Sequence, residues 1–87
     1  HHLQLPCAWE NKGGLMRRMS EDAVDLRASF TDGVRIDTER GWVLLLPDEY
    51  RPIAHIYVEA VDQADADALR DQYRSKVAGW LDELAAG

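Results

Sequence analysis

The residues best placed to do chemistry in this chain lie between Leu46 and His55. Pro47 and Pro52, each without an amide donor and with φ fixed, bracket Asp48, Glu49, Tyr50 and Arg51, so this stretch is expected to leave the sheet as a loop. Loops on a rigid scaffold often carry binding groups. The plainer alternative is a solvated connection whose charges serve solubility. His55 could exchange protons near neutral pH, yet nothing in the sequence pairs it with a carboxylate that would orient it. A surface or rim position is the simpler expectation.

Other chemistry-bearing residues read more blandly. His55, Cys7 and the scattered Asp and Glu residues lack the spacing of a converging ligand set, so no metal is expected in this domain. Lys12-Gly13-Gly14 lacks the earlier glycine and the following hydroxyl residue of a P-loop and reads as a helix start. Arg17, Arg18, Arg27, Arg35 and Arg40 are most simply solvated charges. Cys7 reads as an inert buried thiol. Trp9, Trp42 and Trp80 offer apolar area for the core or for a seam between domains.

A scaffold for these groups must be built from 87 residues, enough for one domain spanning 1–87 and too few for two. Hydrophobic residues form 46% of the sequence, enough to drive folding into one core. A net charge of -6 argues against nucleic acid and anionic membranes as partners. No apolar run approaches the roughly 20 residues of a bilayer span, and the single cysteine cannot close an internal disulfide. A cytoplasmic setting is expected. His1-His2 reads as a tag remnant, and the abrupt start on Leu3-Gln4-Leu5 suggests a piece of a longer chain.

The elements follow from periodicity. Leu15, Met16, Met19 and Ala23 share one helical face, on a helix starting near Lys12 with Asn11 as its cap; Gly13-Gly14 weakens it. Val24-Leu26-Ala28 alternates, Asp32-Gly33 marks a turn, and Val34 and Ile36 alternate again. Trp42 to Leu46 is an apolar run short enough for a central strand. From Ile53 to Ala60, alternation puts Ala54, Ile56, Val58 and Ala60 on one face, expected to meet a helix, and Ile53, His55, Tyr57 and Glu59 on the other. Asp62 caps a last helix whose buried stripe is Leu69, Tyr73, Val77, Trp80, Leu81 and Leu84. The sum is an α+β fold, an antiparallel sheet with two helices on one face.

Asp32-Gly33-Val34-Arg35-Ile36, the Gly41-Trp42-Val43-Leu44 strand, the proline-bracketed loop and Ile56-Tyr57-Val58-Glu59-Ala60 together resemble the last domain of the phosphomannomutase/phosphoglucomutase (phosphohexomutase) family. Upstream, Trp9-Glu10-Asn11-Lys12-Gly13-Gly14-Leu15-Met16-Arg17 is similar to a Trp-Glu-x-Lys-Gly-x-x-Met-Arg segment of bacterial phosphomannomutase-like chains. With the acidic Leu46-Pro47-Asp48-Glu49 stretch, that segment resembles in particular actinobacterial chains in which a mannose-1-phosphate guanylyltransferase precedes a mutase-like region.

The resemblance implies a TATA-binding-protein-like fold acting as a lid, with a loop that grips the phosphate of a phosphosugar. The family's usual loop, Arg-Pro-Ser-Gly/Asn-Thr-Glu-Pro, falls on Leu46, Pro47, Asp48, Glu49, Tyr50, Arg51 and Pro52. The prolines survive, while the arginine, serine and threonine do not. Phosphate needs donors, and Asp48 and Glu49 place carboxylates where donors would sit. Arg51, the Tyr50 hydroxyl and His55 are the replacements on offer, so a residual phosphate site would use Tyr50, Arg51 and His55.

By the same resemblance, the phosphoserine nucleophile and the magnesium-binding aspartates belong to earlier domains. No catalytic residue and no cofactor is therefore expected in this chain, and magnesium is implied only for the parent enzyme. The expected partners are the preceding domains of the same chain and a hexose phosphate, with an oligomer compatible with either. Three roles compete: a degenerate mutase domain kept for structure or regulation, a working phosphosugar-binding lid, and an unrelated binding module of the same architecture. The altered loop places the first ahead.

Overall fold

A computed structural model of the chain describes residues 1–23, 27–29 and 33–86, with 27–29 as backbone only. The elements are β1 (His2–Pro6), a 3-10 turn (Trp9–Asn11), α1 (Lys12–Asp22), β2 (Arg27–Ser29), β3 (Val34–Asp37), β4 (Gly41–Pro47), β5 (Ile53–Ala60) and α2 (Gln63–Ala86). The strands form one sheet in the order β1-β5-β4-β3-β2, and every neighbouring pair is antiparallel. This is the expected α+β architecture.

Alternation decides which side of the sheet meets the helices. Val34, Ile36, Val43, Leu45, Ala54, Ile56 and Val58 all lie at 3% exposure or less and form one cluster with Leu15 and Met19 of α1 and Leu69, Tyr73 and Val77 of α2. Trp80, Leu81 and Leu84 pack against that cluster at its rim, completing the predicted helical stripe. Each large apolar side chain buried here contributes about 1.5–3 kcal/mol relative to exposure. Cys7 is buried as expected, and burial pushes its thiol pKa up.

The opposite face carries a cross-strand row. The register sets His2 against Tyr57, Tyr57 against Leu44, and Leu44 against Arg35, with Gln4, His55 and Leu46 in the next row. Among the described residues no helix covers this side: the helix residues in the core all meet the other one.

Several expectations are corrected in detail. Asn11 makes no side-chain cap bond, because the 3-10 turn already holds its backbone near helical values (φ -99°, ψ -6°) rather than the extended values of a working cap. Asp62 does cap α2, its carboxylate accepting from the Asp65 amide at 2.8 Å. Pro47, expected to leave the sheet, closes β4 opposite Ala54, since a missing donor at a strand's last residue costs the ladder little. Of the tryptophans, Trp80 packs against the core at its rim, whereas Trp9 is 51% exposed and Trp42 lies on the open face with the Arg35 guanidinium 4.6 Å from its ring centroid. Val24, Leu26 and Asp32, which carried the expected strand start and turn, lie outside the described residues.

Gly14 and Gly41 owe their place to close approach. A Cβ on Gly14 would lie 2.9 Å from Leu84 Cδ2, so the glycine lets α1 seat against the last turns of α2. On Gly41 a Cβ would collide with the Glu59 carbonyl oxygen across the β4–β5 ladder. The glycine pair that weakens α1 as a helix therefore includes one residue that sits directly against the Leu84 side chain.

Candidate functional site

The β4–β5 hairpin turns through residues 48–52, and this turn is where the polar groups converge. Leu46, Pro47, Asp48, Glu49, Tyr50 and His55 line one open cavity of about 550 Å³, joined by Tyr57. Arg51 is absent from that lining and turns its guanidinium to Asp48, with 60% of its side chain exposed.

Asp48 organises the loop. One oxygen, Oδ1, accepts from the backbone amides of Tyr50 at 2.8 Å and Arg51 at 2.9 Å. The other, Oδ2, accepts from His55 Nε2 at 2.8 Å and from the Arg51 guanidinium at 3.1 Å. Only 11% of the Asp48 side chain is exposed. The His55 N–H first, then the Tyr50 amide and the Arg51 donors, hold the Asp48 carboxyl well below the usual carboxylate range. Asp48 is thus not an unsatisfied like charge facing the cavity, as the sequence suggested. Its charge is spent inside the loop.

His55 is corrected in the same way. It is buried, at 7% exposure, and it has the orienting carboxylate that the sequence did not reveal. A carboxylate can only accept, so Nε2 carries a proton toward Asp48, and Nδ1 on the other side of the ring is hydrogen-bonded to His2 Nε2 at 2.8 Å. The His2 ring stacks on Tyr57 with centroids 4.3 Å apart and planes at 4°. Asp48, His55 and His2 thereby form a hydrogen-bonded chain along the cavity wall.

A further residue fixes the loop from behind. Lys12, at the start of α1, donates to the carbonyl oxygens of Asp48 and, at 2.7 Å, of Arg51, while its ammonium lies 3.5 Å from the Trp9 ring centroid. The backbone adds Asp48 N to Ile53 O at 3.1 Å, Ile53 N to Arg51 O at 2.8 Å and Cys7 N to Pro52 O at 2.8 Å. The Trp9-x-x-Lys12 spacing was the available signal for this role, and reading Lys12 as a helix start alone passed over it.

The remaining nominated residues are peripheral. Tyr50 is 86% exposed, and its amide rather than its hydroxyl is engaged. Glu49 is exposed at the cavity mouth and makes no hydrogen bond among the described residues. No group of three or more His, Cys, Asp or Glu among the described residues is placed to hold a metal ion. No described helix is long and apolar enough to cross a membrane.

No family model matches the chain. Two curated proteins do: a probable phosphoglucosamine mutase of Methanocella arvoryzae, 35% identical over 77 residues, and one of Methanopyrus kandleri, 38% identical over 84 residues. The matches cover 86% and 92% of this chain and 18% of each relative, so the chain spans under a fifth of their length. They support a relationship to the phosphohexomutases.

Proposed function

We propose that this chain is the C-terminal domain of a phosphohexomutase-related sugar-phosphate enzyme, and that its divergent loop serves structure or regulation rather than gripping a phosphate. The observation that carries this reading is the Asp48 carboxylate, which already accepts from two loop amides, the Arg51 guanidinium and His55. An incoming phosphate finds those donors taken and a negative charge among them. On this reading the preceding domains of the same chain are the partners and supply the nucleophile and magnesium, and the lysine-braced hairpin is a rigid part against which they pack. The Trp-Glu-x-Lys-Gly segment and the acidic loop favour a parent with a mannose-1-phosphate guanylyltransferase ahead of the mutase-like region.

The cavity beside the loop favours a second reading, a working lid in which Tyr50 and His55 meet a hexose phosphate. Amide NMR of the chain titrated with mannose 1-phosphate separates the two. Resonances of Tyr50, Arg51 and His55 that stay in place are expected. Saturable shifts at those residues would reject the structural reading and establish the lid.

A further inference from the structure

We infer that the end of the open sheet face away from the hairpin loop is a docking point for an arginine side chain of a protein partner, received between the Trp42 ring and the Glu59 carboxylate. The site is independent of the loop and of what the loop binds.

The strand register builds it. Trp42 on β4 stands opposite Asp37 on β3 and opposite Glu59 on β5. Directly opposed residues of antiparallel strands share a face, so an indole lies here with a carboxylate on either side. This row sits where β4 begins, whereas residues 48–52 follow its other end. On the β3 side the arrangement is complete: the Arg35 guanidinium lies 4.6 Å from the Trp42 ring centroid and donates to the Asp37 carboxylate at 3.4 Å. Tryptophan attracts a cation over its ring more strongly than any other side chain, and guanidinium stacks there well.

The β5 side repeats the ring and the carboxylate without the cation. Glu59 is exposed and makes no hydrogen bond or ion pair among the described residues. In place of a guanidinium there is an open cavity of about 230 Å³, lined by Gly41, Trp42, Glu59, Ala60 and Val61. Val61 is fully exposed and, with Ala60, gives this cavity an apolar wall. An arginine matches each part: its planar cationic head meets the indole and the carboxylate, and its aliphatic stem lies along the alanine and valine. A bare metal cation would find a single carboxylate there, too few oxygens to replace its hydration shell. The net charge of -6 favours the approach of a basic partner, and tryptophan with arginine is a frequent anchor pair of protein interfaces.

The unaltered chain, followed by amide and indole NMR, tests the site with three capped glycine tripeptides whose central residue is arginine, citrulline or lysine. Citrulline keeps the shape of arginine and loses its charge. The arginine peptide is expected to give saturable shifts centred on the Trp42 indole N–H and the Glu59 and Val61 amides. The lysine peptide is expected to bind more weakly, and the citrulline peptide not measurably. Glu59→Gln should weaken arginine binding about threefold, the scale of an exposed ion pair. Asp82→Asn, which removes the same charge from an exposed position on α2, should leave the affinity unchanged.

Absence of saturable shifts at Trp42 overturns the site, as does equal binding of the arginine and citrulline peptides. Equal weakening by Glu59→Gln and Asp82→Asn would assign the attraction to net charge and overturn it too. A lysine peptide that binds as tightly as the arginine one overturns the assignment to arginine. Both substitutions replace exposed side chains by isosteres, and unshifted amides of Val43 and Ile56 show that the core has kept its fold.

Discussion

The Lys12 ammonium donates to the Arg51 carbonyl oxygen at 2.7 Å, tying the first residue of α1 to a loop 39 positions further along the chain. The same ammonium reaches the Asp48 carbonyl and lies against the Trp9 ring. Two stretches that carried the family resemblance, the Trp-Glu-x-Lys segment and the proline-bracketed loop, are therefore a single physical unit.

Lys12→Met should loosen that unit without disturbing the core. Hydrogen bonds from a charged donor contribute more than neutral ones, but this pair is partly exposed, so the expected loss is about 1 kcal/mol in unfolding free energy. Denaturant unfolding measures the loss. Amide exchange should localise it, with Ile53 and Cys7 losing protection while Ile56 does not.

Asp48 makes acid stability predictable in sign. Its carboxyl is held below the value it takes in the unfolded chain, so the unfolded state takes up the proton first as pH falls. The stability it contributes is fully present above the ordinary carboxylate range near pH 4 and is lost progressively below it. Asp48→Asn should therefore flatten the decline of stability between about pH 4 and pH 2 relative to the unaltered chain. Thermal unfolding followed across that range checks it; parallel curves for the two proteins would show that folding does not lower the Asp48 pKa.

Two glycine substitutions should have opposite signs. A Cβ on Gly79, within α2, meets nothing within 4 Å, so Gly79→Ala is expected to stabilise by about 1 kcal/mol through helix propensity. Gly41→Ala forces a Cβ into the Glu59 carbonyl and Ala60 across the β4–β5 ladder, and a loss of about 1–3 kcal/mol is expected. Equal effects at the two sites, measured by chemical denaturation, would contradict the close approach at Gly41.

Periodicity carried most of the fold. The stripe from Leu69 to Leu84 could only be a helix face, and the alternation from Ile53 to Ala60 assigned both faces of β5, including His55 and Tyr57 on the side away from the helices. Side-chain destinations were less legible. Nothing in the spacing of Asp48 and His55 says that a loop residue folds back onto the strand beside it, since that depends on the path of the turn. Large apolar area likewise does not say which face a residue takes, which is why Trp42 is on the open side and Trp9 lies outside the core. Lys12 acts on the loop only because β1, the 3-10 turn and α1 bring its ammonium back to the hairpin, a relationship that no local pattern encodes.

The contact between Asp48 and His55 spans seven positions, whereas the one between His2 and His55 spans 53. Bringing two points of a chain together costs conformational entropy that rises with the logarithm of their separation, a difference here of about 2 kcal/mol in favour of the short contact. The carboxylate, the two amides, the guanidinium and the imidazole all belong to the one hairpin. The hairpin thus carries its own counter-anion as a tethered ligand, at an effective concentration that no dilution lowers and with no need for β1 to be docked.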